Sequence, residues 1–167
     1  MRRRIAAEHA ARNRWDFKYV AGGIIDVEFV VQYLLLRHGH DAPNVLTTES
    51  AAAIERLVEK GFLDPAAAID LRRALELSWR VQGVIRLTAP DLLDPESAPR
   101  AIKERLAAEV ARATGNPQSP EPRSPGVDFT EAETILDGIL AASHGRFLDI
   151  IEGPASTISP PQATRST

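Results

Sequence analysis

Apolar residues recur at intervals of three and four along most of the chain, which is the spacing of helices that bury one face. No segment shows the convincing alternation of apolar and polar residues that marks a half-buried strand. The sequence therefore predicts an all-α fold, a helical bundle of five or six helices. The predicted helices lie at about residues 2–13, 24–37, 48–60, 64–87, 98–113 and 129–151.

Local signals mark where two of these helices meet. Asp64 and Pro65 indicate a helix start, since aspartate caps helix N-termini and proline suits the first helical position. Gly61 is the predicted stop of the helix before, and Thr48 is the predicted N-cap of that same helix.

Three segments interrupt the helical pattern. Residues 14–23 are predicted to be an extended connection that ends in Gly22 and Gly23, a pair that suits positive φ or close backbone approach. Residues 115–127 are rich in proline and are predicted to be a flexible linker. Residues 153–167 are predicted to be a disordered tail, which leaves one bundle domain before it, ending at residue 152.

Composition narrows the possible partners. The net charge of -3 is too small to favour nucleic acid or a membrane surface as a partner. No apolar run reaches the roughly 18–20 residues needed to span a bilayer. The chain has no cysteine, so disulfides and thiol catalysis are excluded. We therefore expect a cytoplasmic protein that binds neither nucleic acid nor membrane.

The segment from Lys18 to Tyr33 stands out on physical grounds. A glycine pair leads into a helix whose first turns carry Asp26 and Glu28, whereas the rest of that helix is largely apolar. The structural interpretation is a tight turn in which Asp26 accepts from amides at the helix start and Lys18 pairs with an acid. The functional interpretation is a site for a metal-bearing phosphate, because amides at a glycine-rich helix entry can bind anions. Residue types alone favour the structural interpretation.

Histidines supply the remaining candidates. His38 and His40 flank Gly39 with only Asp41 as a further ligand, so contacts at the helix end are favoured over a metal site. His144 has no visible partner in the sequence and is predicted to lie at the surface. We expect no metal site and no catalytic residue in the chain.

The string from Lys18 to Tyr33 resembles the motif that follows the nucleotidyltransferase core of bacterial glutamine synthetase adenylyltransferases. Its Asp-hydrophobic-Glu form, at Asp26 and Glu28, is more similar to the C-terminal, adenylylating half of those proteins. The likeness covers residues 1–112 well and the last predicted helix more loosely. The chain thus resembles the C-terminal helical part of the adenylylating half.

This resemblance implies a supporting role in ATP-dependent transfer of AMP to a tyrosine of glutamine synthetase, with Mg²⁺ as the metal and the PII signal protein as regulator. It implies that five residues bind cofactor: Lys18, Gly22, Gly23, Asp26 and Glu28. The Gly-Ser and Asp-x-Asp signature of the family does not occur in these 167 residues. We therefore expect the chain alone to be inactive, to bind neither ATP nor Mg²⁺ tightly, and to need a nucleotidyltransferase core from a missing N-terminal part. The alternative is a non-catalytic helical module that binds glutamine synthetase or another helical partner.

Overall fold

The computed structural model describes residues 2–88, 94, 97–114 and 127–156, and no β-strand occurs among them. The all-α fold is therefore confirmed. The main helices are α1 (Arg2–Glu8), α2 (Ile24–His38), α3 (Ser50–Glu59), α4 (Pro65–Thr88), α5 (Arg100–Thr114) and α6 (Phe129–Phe147). Shorter elements are a 3₁₀ turn (Pro43–Val45), a π-helical turn (Leu148–Glu152) and α7 (Gly153–Ser156).

The predicted boundary between α3 and α4 is confirmed. Gly61 has a φ of 71°, the left-handed conformation that glycine adopts without strain just after a helix. The side chain of Asp64 accepts a hydrogen bond from the amide of Ala67 at 3.0 Å, and Pro65 is the first helical residue. Local chemistry fixes this corner.

Three other predictions about local structure are wrong. Helix α1 ends at Glu8 rather than at residue 13. Residues 14–23 form consecutive turns instead of an extended connection, with bonds such as that from the amide of Val20 to the carbonyl of Asp16 at 2.9 Å. Thr48 does not cap α3, which begins two residues later without a side-chain capping bond. Turns and extended connections use the same residue types, so the pattern does not separate them.

The core lies around α4 and α6. These two helices pack against each other, both contact α2 and α5, and α3 covers α2 and α4. Burial of apolar side chains between these layers is the main force that holds the bundle together. The largest fully buried side chains are Trp15, Phe17, Val27, Val30, Ile54, Leu57, Leu71, Leu75, Leu77, Leu106, Leu136 and Phe147.

The segment before α2 is anchored to α6 through Trp15. The buried Trp15 ring stacks on Phe129 with centroids 5.4 Å apart, and its indole N–H donates to Glu133 at 3.2 Å. The neighbouring Arg14 pairs with Asp137 at 2.7 Å, further along the same helix. The turns that lead into the glycine pair are therefore packed on α6.

The predicted linker at 115–127 lies outside the described residues, except for Val127. Of the predicted tail at 153–167, residues 153–156 are helical rather than disordered, and the rest lies outside the described residues. The predicted division into one bundle domain and a tail stays a prediction. Where the chain is described, none of its helices combines the length and the apolar character needed to cross a membrane.

Candidate functional site

The glycine pair closes the turn that leads into α2. Gly22 has a φ of 80°, and a Cβ atom there would overlap the carbonyl oxygen of Leu140 on α6. A Cβ atom at Gly23 would overlap the carbonyl oxygen of Phe17. The prediction that this pair suits a positive φ or a close backbone approach is confirmed: Gly22 has both, and Gly23 has the close approach with a φ of -79°. Gly22 needs glycine for both reasons.

The amides of the pair already donate hydrogen bonds within the chain. The amide of Gly22 donates to Oδ2 of Asp26 at 2.7 Å, and the amide of Gly23 donates to the carbonyl of Val20 at 3.0 Å. An anion that bound both amides would have to displace these two bonds. The predicted contact between the amides and a phosphate stays a prediction.

Asp26 lies in the first turn of α2, and none of its surface is exposed. Its Oδ2 accepts from the amide of Gly22 and lies 2.8 Å from Nδ1 of His144 on α6. A buried carboxylate is costly unless it is hydrogen-bonded, and these contacts, together with the helix N-terminus, stabilise it. Asp26 therefore joins the turn, α2 and α6.

Lys18 and Glu28 are exposed. The ammonium of Lys18 lies 5.1 Å from the ring centroid of Tyr19, in a cation–π contact. Within the described part of the chain this ammonium forms no ion pair with an acid. Glu28 follows Asp26 by two positions, which turns it about 200° around the helix, away from the buried side. Both charged groups face solvent.

The five predicted site residues thus form two sets. The buried set is Gly22, Gly23 and Asp26, and the exposed set is Lys18 and Glu28. The structure brings the buried set together through close packing and hydrogen bonds. The exposed set offers an ammonium, which can pair with phosphate, and a carboxylate, which can accept from a lysine or a metal-bound water.

The described residues include no group of three or more His, Asp and Glu side chains that could hold a metal ion. His38, one of the weighed ligands, instead stacks on Phe62 with ring centroids 4.1 Å apart. Mg²⁺ takes several oxygen ligands, a set that the exposed carboxylate of Glu28 does not provide by itself. The described residues therefore do not fit a Mg²⁺ site of their own.

His144 is the residue that the sequence interpretation missed. The prediction that it has no partner is wrong, because its Nδ1 contacts Asp26, and 33% of its side chain is exposed. The two residues lie 118 positions apart, so no local pattern connects them. The available signal was spacing: His144 follows Leu136 and Leu140 at intervals of four and shares their helix face.

A family model described as GlnD PII-uridylyltransferase matches residues 1–118. A bifunctional glutamine synthetase adenylyltransferase/adenylyl-removing enzyme from Rhodopseudomonas palustris strain BisB5 is 37% identical over 156 residues, which are 93% of the chain and 14% of that enzyme. The enzyme of the same name from Xanthobacter autotrophicus is 36% identical over 152 residues, 91% of the chain and 14% of the enzyme. The enzyme of the same name from R. palustris strain TIE-1 is 38% identical over 98 residues, which are 59% of the chain and 10% of that enzyme. No solved structure matches the chain significantly.

The match over residues 1–118 places most of the chain in the family that the model describes. The chain belongs to the family of glutamine synthetase adenylyltransferases, which confirms the resemblance seen in the motif. It spans only 10 to 14% of the length of these relatives. The chain has 167 residues, so any continuous match of 152 residues begins by residue 16 and ends at residue 152 or later. The longer matches therefore include both the glycine pair and α6.

Proposed function

We propose that the chain is the helical module that follows the nucleotidyltransferase core of a glutamine synthetase adenylyltransferase, and that it supports transfer of AMP from ATP to a tyrosine of glutamine synthetase. The observation that carries this proposal is the 37% identity, over 93% of the chain, to a protein named for that activity. The chain contains no Gly-Ser and Asp-x-Asp signature. The metal-binding carboxylates would therefore come from the core, and the chain alone would be inactive.

Lys18 and Glu28 are the residues of this module that would approach the nucleotide. Both are exposed, and both stand on backbone that is held in place: Lys18 in the turns packed on α6, and Glu28 on α2 beside the buried Asp26. In this proposal the ammonium pairs with the phosphates, and Glu28 orients that ammonium or a water bound to Mg²⁺. The buried set keeps the turn and the helix in register.

The regulator and the compartment are further parts of the proposal. The PII signal protein is the proposed regulator, because the matching family model is named for an enzyme that acts on PII. The cytoplasm is the proposed compartment, since the chain carries no cysteine and no membrane-spanning helix occurs among its described residues.

The test is to mix this chain with a separately expressed nucleotidyltransferase core and to measure transfer of labelled AMP to glutamine synthetase. The chain is expected to restore transfer that the core alone lacks. Lys18→Ala is expected to lower the restored rate at least about tenfold, because a positioned charge at a phosphate acts mainly on the transition state. The matched control is Lys60→Ala, a change of an exposed lysine at the end of α3. Equal rates for the two variants would contradict the assignment of Lys18.

A second candidate function is a non-catalytic module that binds glutamine synthetase or another helical partner. It is favoured by the apolar side chains that stay exposed, above all Leu36 and Leu87, which are 85% and 89% exposed. Calorimetry with glutamine synthetase separates the two candidates. Binding by the chain without any restored transfer would favour the interaction module over the enzyme module.

A further inference from the structure

A polar contact between Asp26 and His144 links the motif to the C-terminal helix. Nδ1 of His144 lies 2.8 Å from Oδ2 of Asp26, the same oxygen that accepts the amide of Gly22 at 2.7 Å. We infer that His144 is a positioning residue: it fixes the carboxylate of Asp26 and, through it, the turn that carries the proposed nucleotide contact. What is positioned rests on the proposed function, whereas the contact itself does not.

We place the hydrogen of this bond on the imidazole of His144. An ionised carboxylate only accepts hydrogen bonds, so Nδ1 of His144 must donate to Asp26, both in the neutral ring and in the imidazolium. Nε2 then takes no part in this bond. Within the described part of the chain Nε2 has no hydrogen-bond partner. The nitrogen that acts on the motif is therefore Nδ1.

The ring of His144 is held in place on α6. It stacks on the buried Phe147 with centroids 5.8 Å apart and the two planes 8° from parallel. One helical turn earlier, the carbonyl oxygen of Leu140 occupies the place that a Cβ atom on Gly22 would take. Helix α6 thus contacts this region through two residues one helical turn apart, Leu140 against Gly22 and His144 against Asp26. A shift of α6 would therefore move Gly22.

His144 acts through Asp26 and not on the nucleotide. The carboxylate of Asp26 is completely buried, so a molecule outside the bundle does not reach it, whereas Lys18 stands exposed four residues before Gly22. A displacement of about 1 Å in a positioning group can lower a rate by about 100-fold. By this inference α6 belongs to the transfer module as much as the motif does.

Substitution of His144 by asparagine or by glutamine distinguishes the role of Nδ1 from the role of Nε2. The amide nitrogen of asparagine falls close to the place of Nδ1, and that of glutamine close to the place of Nε2. His144→Asn therefore keeps a donor for Asp26, and His144→Gln removes it. Their comparison tests the hydrogen bond rather than the bulk of the side chain.

The first readout uses the 167-residue chain and needs no activity. Nitrogen-15 NMR of the unsubstituted chain is expected to show a hydrogen on Nδ1 of His144. Exchange of the Gly22 amide is expected to be about tenfold faster in His144→Gln and close to native in His144→Asn, because the carboxylate loses the bond from His144 and holds the amide less firmly. A bare Nδ1 in the unsubstituted chain would overturn the inference even if a variant folds poorly. Equal exchange in two folded variants would overturn it as well.

The second readout is AMP transfer restored to the separate core. His144→Gln is expected to lower kcat about tenfold with KM for ATP within about twofold, and His144→Asn is expected to stay within about threefold of native. Native kcat in His144→Gln would overturn the positioning role. Failure of the unsubstituted chain to restore any transfer would instead overturn the proposed function. The NMR measurements would still test the hydrogen bond between His144 and Asp26 in that case.

Discussion

Asp26 and Glu28 are two carboxylates on the first turns of one helix, yet their surroundings are opposite. Asp26 faces α6, is fully buried and accepts hydrogen bonds, whereas Glu28 faces solvent. Residues two apart on a strand share a face, but on a helix they point about 200° apart. An acid-x-acid string on a helix is therefore not a paired metal site. Here Asp26 stabilises the fold, whereas Glu28 is accessible to a partner.

The largest effect is expected at Gly22. Gly22→Ala should lower the free energy of unfolding by more than about 3 kcal/mol, because alanine would meet both an unfavourable φ and the carbonyl of Leu140. Gly61→Ala is the matched control: its φ is also positive, but no atom lies within 4 Å of its Cβ position. It should cost about 1 kcal/mol. Urea unfolding measures both, and equal losses would show that close packing against α6 does not matter.

The second effect separates the two acids directly. Asp26→Asn should lower the free energy of unfolding by about 1–3 kcal/mol, because the uncharged amide oxygen accepts more weakly from the Gly22 amide and the imidazole, and an NH2 group replaces the other buried oxygen. Glu28→Gln should change it by less than about 0.5 kcal/mol, since the side chain is exposed. Thermal unfolding of the two variants makes the comparison, and similar melting temperatures would count against a structural role confined to Asp26.

The smallest effect has the opposite sign. Gly138 lies inside α6 on an exposed side, and a Cβ atom there would meet nothing within 4 Å. Gly138→Ala should therefore raise the free energy of unfolding by about 0.5–1 kcal/mol through helix propensity alone. Urea unfolding checks the sign. A loss of stability would mean that this side of α6 is packed more closely than the structure shows.

The parts of the fold that the sequence predicted well are those with local causes. The corner at Gly61 and Asp64 follows from glycine conformation and from side-chain capping, both of which involve neighbouring residues. The turns at 14–23 were misjudged because their shape depends on the packing of Trp15 against α6, more than 100 residues away. Propensity alone does not report such a contact.

The same division applies to the candidate site. The backbone role of Gly22 was predictable, because few residues tolerate a positive φ at a helix entry. The bond from a helix-start amide to Asp26 was predicted and is confirmed, whereas the complete burial of Asp26 was not predictable, since it depends on the face of α2 that meets α6. The partner of Asp26, His144, comes from the far end of the chain and could be found only once the two helices were placed together.

The most direct test of this division uses the Glu28→Gln chain and measures, on one preparation, its free energy of unfolding and the AMP transfer that it restores to the core. We expect stability within about 0.5 kcal/mol of the unsubstituted chain and a transfer rate lowered at least about tenfold. Glu59→Gln, a change of an exposed acid at the end of α3, should alter neither quantity. A native transfer rate in Glu28→Gln, or a loss of stability as large as that of Asp26→Asn, would contradict the account.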